Sequence, residues 1–228
     1  MPAAFRAQRS EEFSVRALCT LRWALGYCSP LHDLMFAMQG LGSYPVTLAG
    51  SPAQQAALLP AIARGQAIGA FALTEPEAGS DVAALRTRAE RVDGGYRVNG
   101  HKIFISNAGL ATQYVLFVRT GDDPRKGLSA LLLPAATPGL SVTPQRLLCE
   151  GHPIGELHLR DVFLPESARL GAEGEGMALA LRTLDTFRAT VAAAAPSSAR
   201  AAALTRAPRS ATPASPTPRS RRGSAAPA

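Results

Sequence analysis

Two short polar constellations carry residue types that can do chemistry. In "FALTEPEAGSD", Phe71 to Asp81, Thr, Glu, Pro, Gly, Ser and Asp crowd between an apolar run and a segment that begins to alternate. Gly79 and Ser80 let several backbone N–H groups converge into a concavity that holds a phosphate or pyrophosphate without a lysine. The Thr74 hydroxyl can then reach the rim of a bound group. A plain surface turn uses the same residues for backbone reasons alone. In "HKIFIS", strand alternation places Lys102, Phe104 and Ser106 on one face and turns Ile103 and Ile105 to the core. An aromatic ring beside a hydroxyl suits a planar heterocycle with polar edges, although a strand phenylalanine serves as readily in a core. No GxGxxG follows a strand and no GxxxxGKS/T is present, so neither a Rossmann site nor a P-loop competes as the phosphate cradle.

These residues need elements to hold them. From about Phe13 to Ile68 apolar residues recur at helical spacing, with Ser51 before Pro52 as an N-cap and Gly65 as a stop. From Phe71 to about Pro165 the pattern changes to short strands: "RAERV", "GYRVN", "HKIFIS", "YVLFVRT", "LSALLLP", "LSVTPQR" and "ELHLRDVFLP". Asp93-Gly94-Gly95 and Asn99-Gly100 read as turns between them, which predicts an antiparallel sandwich or barrel. After "GAEGEG", read as a flexible helix entry, helical spacing returns in "MALALRTLDTFRATVAAAA" and is expected to stop at Pro196. Residues 196–228 hold one large aliphatic residue, Leu204, and are expected to be disordered. Trp23 and Met35 fall on apolar helix faces and are assigned to the core.

Composition narrows the function. The 228 residues are 46% apolar and 18% charged, which is globular. Of the formal net charge of +7, six arginines lie in the last 33 residues with no acid among them, leaving +1 for the rest. A nucleic-acid surface is therefore not expected, since the basic tail also lacks aromatics. Cys19, Cys28 and Cys149 form no CxxC pair and have no histidine at metal-ligand spacing, so no disulfide scaffold and no metal site are expected. His32, His101, His152 and His158 are read as solvated or hydrogen-bonded. Without a signal-peptide pattern or an apolar run of about 18 residues, a soluble cytoplasmic protein away from membranes is the expectation.

"ALTEPEAGSDVAA", followed about twenty residues later by "NGHKIFISNAG", then "KGLSALLLP" and "LRDVFLPESARLGAEGEGMALALRTLDTFR", resembles the ordered motifs of the acyl-CoA dehydrogenase family. The similar texture covers about Ser14 to Ala195. The resemblance implies an α+β chain. Residues 1–68 would form a partial helical N-terminal domain and 69–170 a β-sandwich or barrel middle domain. Residues 171–195 would form the first helix of a truncated C-terminal helical domain, ahead of the tail. It implies FAD, with Phe71, Ala72, Leu73, Thr74, Gly79 and Ser80 along the flavin and its phosphates, and Phe104, Ile105 and Ser106 flanking the ring system where many members carry Trp and Thr. Ser80, Asp185 and Arg188 would border an acyl-CoA substrate, with Arg188 the strongest correspondence.

The family's reaction removes an α-proton with a carboxylate base and passes the β-hydrogen to the flavin as hydride. An electron-transferring flavoprotein takes the electrons, and the enzymes are homo-oligomers. This sequence departs from the pattern at the base. The usual Glu lies far into the C-terminal domain, and the branches that use the residue before the matching arginine have Glu where Phe187 stands here. Glu75, Glu77 and Glu150 are not expected to replace it. Two readings follow: an FAD-dependent acyl-CoA dehydrogenase by family, or a non-catalytic truncated fragment that binds flavin or acyl-CoA weakly. The abrupt Ala/Pro/Ser/Arg tail, with 22 Arg to 2 Lys in the chain, is what a shifted reading frame in GC-rich DNA yields, with a genuine disordered tail as the alternative.

Overall fold

In the computed structural model, residues 14–145 and 152–205 are described. Three helices lead: α1 (Val15–Cys28), α2 (Pro30–Ala49) and α3 (Pro52–Ala63). Serines start all three. Ser14 and Ser29 accept from N–H groups of the first turns of α1 and α2. Ser51 and Gln54 form a reciprocal capping box on α3, with Pro52 at the first helical position as expected. Gly65, at φ 69°, takes the left-handed conformation just after α3 ends.

The strands are β1 (Gly69–Ala72), β2 (Arg88–Val92), β3 (Gly95–Ser106), β4 (Gln113–Arg119), β5 (Leu128–Pro134), β6 (Leu140–Pro144), β7 (Ile154–Pro165) and β8 (Arg169–Leu170). They form one mostly antiparallel sheet in the order β6-β7-β3-β2-β4-β5-β8, with β1 parallel to β4. The chain is thus α+β, as the sequence predicts. One face buries Tyr96, Val98, Ile105, Leu116, Leu131 and Leu157, and the other packs Val115, Phe117 and Leu132 against Val46 of α2 and Leu179 and Ala180 of the last helix, α4 (Gly176–Thr205).

Helices and sheet meet at glycines. A Cβ on Gly42 of α2 would lie 2.4 Å from the carbonyl carbon of Gly69, so only a residue without one lets α2 rest on β1. The helices are tied together by a buried ion pair. Arg22 donates to both carboxylate oxygens of Asp33 at 2.8 and 2.7 Å and to Thr190 Oγ1 of α4 at 2.8 Å. A bidentate pair whose third guanidinium nitrogen is also hydrogen-bonded offsets much of the cost of burying the charges.

Four expectations need correction. Asn99-Gly100 does not turn. "GYRVN" and "HKIFIS" are one strand, and the irregularity is a register shift against β7, where Asp161 sits at φ 49°. Regular alternation also fails at Phe104, whose φ of 55° adds a residue to β3 between Lys102 and Ile105, so that Lys102 points inward with Ile105 while Phe104 faces out.

Thirdly, α4 does not stop at Pro196 but continues to Thr205. Small residues on α1 and α4 pack there closely enough that a Cβ on Gly26 would lie 2.6 Å from Ser197 Oγ. Ser198 Oγ donates to Gly26 O at 3.1 Å, and Ser197 Oγ to Ala194 O at 2.7 Å. Packing against α1 thus overrides the proline's missing N–H. Of the tail expected to be disordered, 196–205 is helical, and 206–228 lies outside the described residues, as do Cys149 and Glu150. Finally, Trp23 and Met35 are exposed, and Trp23 stacks on Tyr27 along the outer side of α1. Among the described residues no helix is long and apolar enough to cross a membrane.

Candidate functional site

The polar stretch after β1 is held from beneath. Glu75 and Ala78 exchange backbone hydrogen bonds at 3.0 and 3.2 Å, closing a tight turn. Asp81 Oδ1 accepts from Ala83 N at 3.1 Å and caps the short 3₁₀ turn Val82–Ala84. The Glu75 carboxylate is buried and accepts from Arg86 N at 2.6 Å, Thr87 N at 2.9 Å and Lys102 Nζ at 2.7 Å. Lys102 also donates to Leu73 O at 3.1 Å. Burial pulls the Lys102 ammonium down to about 8, against the opposing pull of Glu75. Burial works on Glu75 in the opposite sense, but the charge and hydrogen bond of Lys102, with those from Thr87 and Arg86, hold it below the usual carboxylate value. Glu75 is therefore a pin for the turn, and Pro76, Glu77, Gly79 and Ser80 are left exposed at its rim.

β3 supplies the opposite wall. Ile103 N donates to Thr74 O at 2.9 Å, joining strand to turn. Phe104 then projects outward, 57% exposed, and its N–H donates to Gln145 Oε1 at 3.1 Å. Ser106 Oγ lies 3.0 Å from His152 Nε2, a histidine whose pKa burial lowers.

Between these walls and the helices lies a cleft of about 380 Å³. Of the residues expected at a site, Phe71, Leu73, Thr74, Gly79, Ser80, Phe104, Ser106 and Arg188 line it. Ala72 and Ile105 place their side chains in the sheet core, so only their backbone can face a ligand. Asp185 is exposed and does not line the cleft; it pairs with Arg188 at 3.3 Å on the surface of α4. Residues not singled out from the sequence complete the lining: Met38 and Leu41 of α2, Val82, and Leu181 and Leu184 of α4. Their spacing of three along each helix was the available signal.

A second cavity, about 330 Å³, lies among the helices and is lined by Leu18, Phe36, Tyr44, Ile62 and Phe187 among others. Phe187 is buried, meets Tyr44 edge-on at 5.9 Å and fills the space beside Gly40, where a Cβ would come within 2.5 Å of its ring. Neighbours in sequence, Phe187 and Arg188 thus serve different cavities. Among the described residues no carboxylate lines either one.

The donor set of the cleft, an exposed aromatic face, two hydroxyls and a glycine-serine rim, fits a planar heterocycle carrying phosphates. Residues 70–162 match the model of the acyl-CoA dehydrogenase middle domain. An acyl-CoA dehydrogenase of Bacillus subtilis (strain 168) is 39% identical over 165 residues, which cover 71% of this chain and 44% of the relative. The structure of butyryl-CoA dehydrogenase from Megasphaera elsdenii superposes with a TM-score of 0.80 at 32% identity, covering 85% of this chain and 52% of that one. That of a glutaryl-CoA dehydrogenase from Mycobacterium smegmatis in complex with FADH2 gives 0.78 at 31%, covering 84% and 49%. The chain spans about half the length of the relatives it matches. Residues 70–162, with the ordered motifs they carry, thus belong to the acyl-CoA dehydrogenase family as its middle domain, and the helices on either side superpose on solved members of it.

Proposed function

We propose that the cleft binds the flavin of FAD and admits an acyl-CoA beside it, as in an FAD-dependent acyl-CoA dehydrogenase. The observation that carries this reading is Phe104, a largely exposed aromatic ring held outward at φ 55° across from the Thr74 and Gly79-Ser80 turn. A cleft of this volume takes a ring system, and a dinucleotide's phosphates would continue over the glycine-serine rim. Thr74 and Ser106 offer hydroxyls to the polar edge of the ring, Phe104 covers its face, and the apolar side chains of α2 and α4 exclude water. Arg188, exposed at the mouth, supplies a cation for an anionic substrate arm. Bound FAD would contribute the hydride acceptor for oxidation of an acyl-CoA to its trans-2-enoyl product. Acyl-CoA and an electron-transferring flavoprotein are the partners this family reading supports.

A second reading, binding without dehydrogenation by these residues, is favoured by the cleft lining itself. An α-proton beside a thioester needs a positioned carboxylate, worth roughly 10² to 10⁴ in rate, and the described lining holds none. Anaerobic mixing of the FAD-loaded chain with short, medium and long acyl-CoAs separates the two. Rapid bleaching of the flavin by any of them establishes dehydrogenation and refutes the binding-only reading. Spectral perturbation without bleaching supports it, and no response to any acyl-CoA removes the substrate from the cleft.

A further inference from the structure

β3 and β7 pair so that His101 lies opposite His158, and the alternation of β7 puts Glu156 on the same face two residues away. The two imidazoles stack at 4.4 Å and 16°. His101 Nε2 is 2.8 Å and His158 Nε2 3.6 Å from the same carboxylate oxygen, Glu156 Oε2. The ligand atoms of all three residues lie within 4.8 Å of one another. All three side chains are partly exposed, and none lines the cleft.

We propose that His101, Glu156 and His158 form a binding site for a borderline divalent cation of the Zn²⁺ class, with solvent completing the coordination. Tetrahedral zinc with bonds of about 2.0–2.1 Å sets its ligand atoms about 3.3 Å apart. The two distances to Glu156, 2.8 and 3.6 Å, bracket that separation, and the two imidazoles offer their ligand atoms within 4.8 Å of each other, so side-chain rotations complete the geometry on a backbone already fixed by strand pairing. Gln145 Nε2 donates to Glu156 Oε1 at 3.1 Å, which holds the carboxylate with its other oxygen toward the imidazoles. The β6 positions paired with His158 and Glu156 are Ser141 and Thr143, so the neighbouring strand adds hydroxyls and no competing positive charge. Two nitrogens and one oxygen favour zinc, nickel or copper over magnesium or calcium. Histidines 57 positions apart in the chain show no metal-ligand spacing, and only the strand pairing brings them together.

The test is calorimetric titration of the untagged, chelator-stripped full chain with Zn²⁺ at neutral pH. One saturable site per chain is expected, undisturbed by excess Mg²⁺. His158→Asn should lower the affinity at least about tenfold, and Glu156→Gln, which keeps the shape and the contact with Gln145, should also weaken it. Should His158→Asn fail to fold, Glu156→Gln decides. Absence of saturable binding overturns the assignment, and so does an affinity unchanged in the folded variants, which would place the metal on groups such as Cys19, Cys28 or His152.

Discussion

Lys102 Nζ lies 2.7 Å from Glu75 Oε1 beneath the turn that forms the rim of the cleft, and the two side chains are 0% and 5% exposed. The pair links β3 to the segment after β1, and Glu75 also receives the N–H groups of Arg86 and Thr87. One carboxylate thus fixes the rim, the start of β2 and the strand that carries Phe104.

Removal of one partner should therefore cost far more than a surface charge. Lys102→Met is expected to destabilise the chain by about 3–5 kcal/mol, because Glu75 is left buried with its charge unmatched. Lys102→Met combined with Glu75→Gln should lose less than the two single changes summed, since no charge is then stranded. Denaturant unfolding of the three variants measures this, and simple additivity would contradict the coupling.

The same pair sets an acid limit. Glu75 is held below its ordinary value of 4.5, so the unfolded chain binds its proton more readily than the folded one. The stability it contributes is complete above about pH 4.5 and is lost as the pH falls through the lowered folded-state value. Lys102 has the opposite sense: lowered to about 8 from 10.5, it costs stability while protonated, and that cost shrinks as the pH rises across this range. Unfolding measured from pH 7 down to 3 should steepen below 4.5 in the parent and less so in Glu75→Gln.

Gly42→Ala should disturb the cleft from outside it. The added Cβ would meet Gly69 C at 2.4 Å and Ala70 N at 2.5 Å, both backbone atoms that cannot rotate away. Overpacking of this kind costs about 1–3 kcal/mol. Because Met38 and Leu41 of the same helix line the cleft, a displaced α2 should also weaken ligand binding. A thermal midpoint and flavin affinity both equal to the parent's would contradict this close approach.

Phe187→Glu tests whether the position before Arg188 can act as a base. Phe187 faces the helical cavity with Tyr44 and Leu18, not the cleft that Arg188 lines. A carboxylate there is buried with no cation among the residues lining that cavity. We expect destabilisation of at least about 3 kcal/mol, a raised carboxyl pKa and no gain in flavin bleaching by acyl-CoA. Recovered bleaching would show that the side chain reaches the cleft.

The order of the elements was legible because it rests on local signals: the Ser51-Pro52 cap, the strand alternation and the Gly65 stop each coincide with a boundary. The cleft was legible through the polar stretch and Phe104. Three features were hidden because they depend on partners distant in sequence. The inward turn of Lys102 needs the extra residue at Phe104. The run of α4 through Pro196 needs α1 against it. The pairing of His101 with His158 exists only in the register of β3 on β7.

The central claim, that the cleft built on the Thr74 to Ser80 turn is a flavin site, is tested most directly by equilibrium titration of FAD against the purified parent chain and its Ser80→Asp variant. Ser80 is exposed at the rim, so the substitution leaves the core untouched while setting a carboxylate where a pyrophosphate would lie. Like charges forced together there cost several kcal/mol. The account predicts saturable FAD binding by the parent, followed by the change in flavin absorbance on binding, and loss of at least about a hundredfold in affinity in Ser80→Asp with an unchanged thermal midpoint. Equal affinity in the two proteins, or no binding by the folded parent, would contradict it.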